Sequence, residues 1–531
     1  MDKKSEHGAA THWADETAAK IIREKGEKER YTCAAGITPS GTVHIGNFRE
    51  IISVDLVVRA LRDLGRQVRF IYSWDDYDVF RKVPKNMPRQ TELAQYLRFP
   101  ITMVPDPWGQ EESYARHHEV DVETMLPLVG IHPEYLYQAR NYRASRYAPG
   151  MRKALEHREA LKEILDKFRD EEHKIHGEWW PISVFCDACN RDDTDIDGWD
   201  NEWAVSYHCK LCGHTETVDL RTARGVKLGW RVDWPMRWEY EQVDFEPAGK
   251  DHHSQGGSFD TARHVCKDVY GWDAPVSFRY DFIGIKGSVG KISSSSGIVV
   301  DLKDLLRVYT PELVRFLFAG TRPNTEFTIS FDLDVIKIYE DYDRTERIAW
   351  KIESARDEAT YLKARRIYEL SQVEAMPASP YQVPFRHLCN LIQIADGDID
   401  KTIAGFKDLK PEQVPGLQRR CQCARYWVEE CAPEEFRFRL RPAGEQAALS
   451  AEESAAIQEL RDKVIAGIEQ YEDDKSCAEA IYKVAETHGM EGKDLFHAAY
   501  QALIGKDQGP RLANFLRSIS KERLLGILAA Y

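Results

Sequence analysis

YTCAAGITPSGTVHIGNFRE, residues 31–50, decides the fold. Tyr31 to Ala35 read as a short apolar strand, GITPSGT as a turn rich in Gly, Pro and Ser, and a helix opens near His44. That helix runs on through NFREIISVDLVVRALRDLG (47–65), with apolar side chains at helical spacing and a closing glycine, and QVRFIYSW (67–74) supplies the next strand. Strand, crossover helix and parallel strand make one unit of a doubly wound α/β core, where ligands sit at the carboxyl ends of strands and at helix N-termini. Ser40 and Thr42 suffice to cap such a helix with His44 on its surface. Its first turn also offers free N–H groups and a positive dipole end to a phosphate, and His44 and Asn47 stand within that turn.

Ahead of this unit, ETAAKIIREKGEKER (16–30) is a charged helix. After it, residues 82–178 change to Pro-punctuated helices such as ESYARHHEVDVETMLPLVG (112–130), read as an insertion without alternating strands. Short strands surround four cysteines at 180–222, and WRVDWPMRW (230–238) resumes strand-and-helix alternation. Beyond Phe331 nearly everything has helical period, broken at MPASPYQVP and RPAGEQAALSAEES. The expected division is 1–81 for the first half of the core, 82–222 for an inserted helical region with a zinc ribbon at 180–222, 223–332 for the second half, and 333–531 for an all-helical domain.

A chain of 531 residues with 43% hydrophobic and 30% charged residues holds several cores and is neither a small binding module nor a disordered chain. Lys+Arg 73 against Asp+Glu 87 leaves −14, which excludes a surface that coats nucleic acid wholesale and still allows a local basic groove. No apolar stretch follows the early lysines and no run of about 18 apolar residues occurs, so a cytoplasmic protein without a membrane span is expected. Eleven cysteines are too sparse for a disulfide scaffold, and the reducing cytosol suits their usage. Cys186, Cys189, Cys209 and Cys212 form CDAC and CKLC, nineteen residues apart, the spacing of a closed structural zinc site; His208 and His214 are possible substitute ligands. Cys421, Cys423 and Cys431 read as ordinary thiols in helices, and His117 and His118 as a solvated helix pair.

A second loop, GIKGSVGKISSSSGIVV (284–300), can bring Lys291 and several hydroxyls onto an anion. HIGN after the first strand together with KISSS after the last α/β strand resembles the two signatures of class I aminoacyl-tRNA synthetases. Over nearly the whole chain the sequence resembles class I lysyl-tRNA synthetases, on GITPSGTVHIGNFRE, SWDDYDVFRKVP, WRVDWPMRW, FEPAGKDHHSQGGSFD and IGKDQGPRLANFL. The resemblance implies an α/β fold with a Rossmann-type doubly wound catalytic core, helical and zinc-ribbon insertions, and an all-α C-terminal anticodon-binding domain. It further implies that the lysine carboxylate attacks the α-phosphate of ATP with loss of pyrophosphate. Lysine then passes to the 3′-terminal adenosine of tRNA(Lys). L-lysine and tRNA(Lys) are the implied partners, ATP with Mg2+ and a structural Zn2+ the implied cofactors, and a monomer the expected state.

Carried onto this sequence, the catalytic residues are His44, Asn47 and Lys291. ATP binding falls to these three with Gly46, Gly249, Asp251, His252, Gly256, Gly257, Ser293, Ser294 and Ser295; Asp251 would accept from the ribose hydroxyls. Phosphoryl-type displacement asks the protein for positioning and charge stabilisation, which suits those residue types. For lysine, the implied residues are Glu50 at the ε-ammonium, Trp234 and Tyr280 along the pocket, and Gly36 and Thr38 near the α-groups, with Asp75 and Asp76 as further candidates for the amino groups. A desolvated ammonium requires such a carboxylate or aromatic partner. Ser294 stands where the general K-M-S-K-S signature has its second lysine, with Lys286 a candidate to compensate, and Asn47 replaces the last histidine of H-I-G-H by an amide. Rival readings are a glutamyl, cysteinyl or arginyl enzyme, a nucleotidyltransferase making another adenylate, and a catalytically silent synthetase-like tRNA-binding protein. Glu50 argues against an acidic substrate, the helical third of the chain against a short nucleotidyltransferase, and His44, Lys291 and the Gly249–Asp251 segment against a silent relative.

Overall fold

The computed structural model describes residues 12–84, 87–169, 171–286, 300–375 and 381–531. Helix α1 (Trp13–Lys25) leads into strand β1 (Arg30–Ile37), helix α2 (Ile45–Asp63) and strand β2 (Gln67–Trp74). β1 and β2 are parallel, with Arg30 opposite Gln67 and Ile37 opposite Trp74. At Gly36 the strands come so close that a Cβ would stand 2.8 Å from the Ser73 carbonyl oxygen, so only glycine fits. α2 is apolar on nearly every face, from Ile45 and Phe48 to Ala60 and Leu61, because α1, the sheet and helix Pro311–Ala319 enclose it.

β2 also pairs in parallel with β3 (Glu134–Tyr137). On the other flank of β1, Cys33 bridges Phe245 and Phe245 bridges Val276, in segments that end as the parallel pair β4 (Ala248–Gly249) and β5 (Arg279–Tyr280). Helices α3 (Trp230–Tyr240) and α4 (Ser258–Val265) accompany this second half. The order β3-β2-β1-β4-β5 is that of a Rossmann-type sheet, and winding reverses between β1 and β4, where such sheets open a crevice. β6 (Ile283–Lys286) and β7 (Phe327–Ser330) form a separate parallel pair beyond it.

β3 corrects the reading of 82–222 as insertion throughout: a core strand lies inside it. EYLY is only four residues long and exposed or half-buried along its length, so it lacks the alternation that marks a strand in sequence. The 333–531 stretch divides in packing. Helices Asp334–Ala349, Phe385–Ile394 and Val414–Tyr426 share one apolar core with α1, α2 and the sheet. Tyr339 stacks on Phe385 at 3.7 Å between ring centres, and Trp427 Nε1 donates to the Phe331 carbonyl at 3.1 Å. Helices from Ala451–Glu459 to Lys521–Ile527 close a second core that begins around Phe438. Helical period shows that each helix has an apolar face but not which core receives it. Among the described residues no helix is long and apolar enough to cross a membrane.

Candidate active site

A cleft of about 820 Å³ opens at the carboxyl ends of β1 and β2. One wall is the turn from Gly36 to Asn47, and the other carries Trp230, Asp233, His252 and Tyr280. At the N-terminus of α2, His44 Nδ1 accepts from the Gly46 amide at 3.1 Å and Asn47 Oδ1 accepts from the His44 amide at 3.3 Å. This reciprocal capping box uses both side chains of the HIGN string. Desolvation lowers the His44 pKa, so the ring is neutral at pH 7; with Nδ1 occupied as acceptor, its proton sits on Nε2 as a donor.

Glu50 lies one turn further along α2. Its Oε1 accepts from the Gly36 amide at 3.0 Å and its Oε2 from the Tyr280 hydroxyl at 2.5 Å. Burial pushes its pKa up to about 8, against the pull of those two hydrogen bonds. Behind the wall, Glu246 accepts from Trp234 Nε1 at 3.0 Å and Trp238 Nε1 at 2.6 Å, and burial raises it to about 7. Asp75 and Asp233 line the same cleft, and Arg237 is the buried cation they share, 2.7 Å from Asp75 and 3.1 Å from Asp233. Lys227 stands further out, paired with Asp78 at 3.2 Å. The part of the cleft around Glu50, Asp75 and Asp233 thus holds more carboxylates than cations, a field that favours a cationic guest.

The two CxxC segments meet in a three-stranded antiparallel ribbon, Thr194–Trp199, Ala204–Cys209 and Thr215–Asp219. Cys186 and Cys212 sulfurs are 3.7 Å apart, as are those of Cys189 and Cys209, and all four lie within 4.8 Å of one another. Tetrahedral Zn–S bonds of about 2.3 Å require sulfurs roughly 3.8 Å apart, so the four residues fit that ion. His208 and His214 turn outward to Asp197 and Glu216, at 2.6 and 3.0 Å, and take no part in the sulfur cluster.

With this geometry in place, residues 11–374 match the family tRNA synthetases class I (K). A lysine–tRNA ligase of Treponema pallidum is 57% identical over 98% of both chains, and one of Borreliella burgdorferi 51% identical over 98% of this chain and 99% of its own. A lysine–tRNA ligase of Thermococcus kodakarensis is 41% identical over 96% of this chain and 98% of its own. The chain belongs to the class I lysyl-tRNA synthetase family.

For a class I lysyl-tRNA synthetase, the cleft gathers Gly36, Thr38, His44, Asn47, Glu50, Asp75, His252 and Tyr280 from the residues named on sequence. Gly249 ends β4 beside the Tyr280 ring, while Asp251, Gly256 and Gly257 sit on the turn into α4, outside the lining of the cleft. Lys291, Ser293, Ser294 and Ser295 fall outside the described residues; the chain returns at Val300, whose carbonyl accepts from the Ile45 amide at 2.9 Å, next to His44. Lys286 is tied to Asp332 at 3.3 Å and to Asp334, an arrangement that does not aim it at the cleft.

Three expectations change. Trp234 is buried behind Trp230, and Trp230, 40% exposed and stacked on it at 5.0 Å, is the ring that faces the cleft. Trp230, Trp234 and Trp238 form one stripe of α3, and sequence cannot tell which end of the stripe meets a ligand. Asp76 points away, accepting from the Ala139 amide at 2.7 Å in a different cavity, where burial raises it to about 6. His117 and His118 are not a solvated pair: His117 stacks on Trp108 at 4.1 Å and His118 is 1% exposed. Cys421 and Cys423 are buried helix thiols, as read. Trp230, Asp233 and Arg237 were missed on sequence, where they look like core residues of an amphipathic helix.

Proposed function

We propose that this chain is a lysine–tRNA ligase that activates L-lysine with ATP and transfers it to tRNA(Lys), with Glu50 as the group that selects the lysine side chain. The observation that carries the reading is a buried carboxylate, Glu50, held by Tyr280 and Gly36 in a cleft whose opposite end is a helix N-terminus. An ammonium brought to Glu50 meets the charge that burial otherwise keeps protonated, and an acidic amino acid would be repelled by the same group. The bound lysine carboxylate then lies toward His44, Asn47 and the positive end of α2, whose Nε2–H, side-chain amide and dipole would stabilise charge on the phosphates during displacement of pyrophosphate. Lys291 and the serines of KISSS would add to that stabilisation. Mg2+ brought with ATP would supply charge neutralisation to the pyrophosphate beside His44 and Asn47. Cys186, Cys189, Cys209 and Cys212 would hold a structural Zn2+, a closed four-thiolate set that fastens a ribbon with little core of its own. The helices of 333–531 would bind the anticodon arm through unpaired bases. ATP–pyrophosphate exchange with each of the twenty amino acids, with and without bulk tRNA, tests this. Exchange with lysine alone among them is expected, and exchange with another amino acid or with none would overturn the reading.

A further inference from the structure

A second cluster of metal-ligating side chains lies away from the cysteine ribbon and outside the lining of the cleft, in HHEVD (117–121) of the helix Tyr114–Met125. We propose that His117, His118 and Asp121 hold a zinc ion distinct from the one assigned to the four cysteines.

Residues i, i+1 and i+4 share one face of a helix, and here each brings a ligand atom within 4.8 Å of the other two. The His117 ring stacks on Trp108 at 4.1 Å, and its Nδ1 lies 3.3 Å from Asp106 Oδ2. The Asp106 carboxylate is an acceptor, already taking the amides of Trp108, Gln110 and Glu111, so the ring proton belongs on Nδ1 and a lone pair on Nε2. That Nε2 faces Asp121 Oδ2 at 3.7 Å. Two electron-pair donors thus face each other with no proton between them. They stand farther apart than a hydrogen bond and close to the edge of about 3.3 Å expected between ligands of tetrahedral zinc. A carboxylate behind a histidine, as Asp106 stands behind His117, is the outer-shell arrangement that orients a metal-ligating ring.

His118 supplies an independent sign. It is 1% exposed, and among the described residues neither of its ring nitrogens has a hydrogen-bond partner. A buried imidazole in that condition is costly unless a ligand takes up its lone pair. Two imidazoles and one carboxylate suit zinc better than Mg2+ or Ca2+, which take oxygen ligands. Three protein ligands leave a fourth position for water, and the exposed Asp121 carboxylate gives the ion its way in. The ion would brace the turn that precedes His44. On the same helix Tyr114 donates its hydroxyl to the Ser40 carbonyl at 2.9 Å, and Asp121 lines a small cavity together with Thr42 and Val43. None of these contacts depends on the lysine reading of the cleft.

Metal content of the full-length protein, loaded with Zn2+ and dialysed, tests this. The wild type should retain about two ions per chain, one on the four thiolates and one on this helix. Asp121→Ala alters an exposed helix position and should lower the content by about one ion; His118→Phe, which keeps a ring in the buried space, should do the same. If His118→Phe fails to fold, Asp121→Ala carries the comparison. Substitution with Co2+ separates the two sites: Asp121→Ala should lose its ion with the thiolate-to-cobalt charge-transfer band intact, whereas Cys209→Ser should lose that band. Metal content in Asp121→Ala equal to wild type, or loss of the ion together with the thiolate band, overturns the proposal. A wild type that shows no thiolate band overturns the ribbon assignment instead.

Discussion

The two ends of the cleft are built from different materials. At the proposed phosphate end, the groups among the described residues are neutral: a neutral His44 and the side-chain amide of Asn47, locked together by a capping box at the positive end of α2. At the proposed amino-acid end, they are side chains from distant segments, with Asp75 and Asp233 paired to Arg237, Glu246 held by Trp234 and Trp238, and Glu50 held by Tyr280. The difference follows from what each end must do. Neutral donors can meet a phosphate whose charge shifts during the reaction without a large penalty when empty, whereas selecting a doubly cationic amino acid needs standing negative charge in a desolvated place. The empty amino-acid end relieves that charge by holding a proton, on Glu50 first.

That contrast breaks first if either end moves the wrong kinetic constant. His44→Ala removes a donor aimed at developing charge, and kcat for exchange should fall by about 100- to 1000-fold with the lysine KM little changed; a pure KM effect would place His44 in the amino-acid pocket. Glu50→Gln keeps a hydrogen-bonding side chain for Gly36 and Tyr280 but loses the charge. The lysine KM should rise by about 30-fold or more, roughly 2 kcal/mol, while the ATP KM holds.

The pH dependence sharpens the same contrast. If lysine binds the ionised form of Glu50 as proposed, then below about 8 the lysine KM should increase up to tenfold for each unit the pH falls, and it should flatten above 8. Glu50→Gln should remove that slope, and a slope that survives would assign it to Glu246, raised to about 7.

Far from the cleft, Cys209→Ser should lower zinc content and melting temperature together, with kcat at 25 °C affected less than by His44→Ala. Atomic absorption and thermal melting measure this, and wild-type protein without zinc would end the assignment. The smallest effect expected is for Lys286→Met. Because Lys286 is already matched by Asp332 and Asp334, exchange should change by less than about threefold. A loss near that of His44→Ala would return Lys286 to the phosphate site.

What the sequence made legible follows the range over which each feature is encoded. The helix after β1 and the paired CxxC segments are local, so residue type and spacing were enough to read them, but the cap of that helix is His44 with Asn47 and neither Ser40 nor Thr42. Glu50 and Tyr280, 230 positions apart, were named through family resemblance, and only the fold brings them to one hydrogen bond. Trp230 was passed over for Trp234 because both lie on one stripe of α3, and burial alone separates them. Asp75 and Asp76 are neighbours in the chain yet face different cavities, since successive side chains at a strand end point to opposite sides. β3 stayed hidden because four half-buried residues carry no period.

Proton release on lysine binding tests the division of the cleft most directly. Calorimetric titration of lysine at pH 7 in buffers of different ionisation enthalpy reads it. With Glu50 near 8 in the empty site, wild-type protein should release about 0.9 proton per lysine bound and Glu50→Gln close to none. Binding of lysine to the wild type without proton release, or equal release from the variant, would contradict a pocket that keeps its charge in reserve on Glu50.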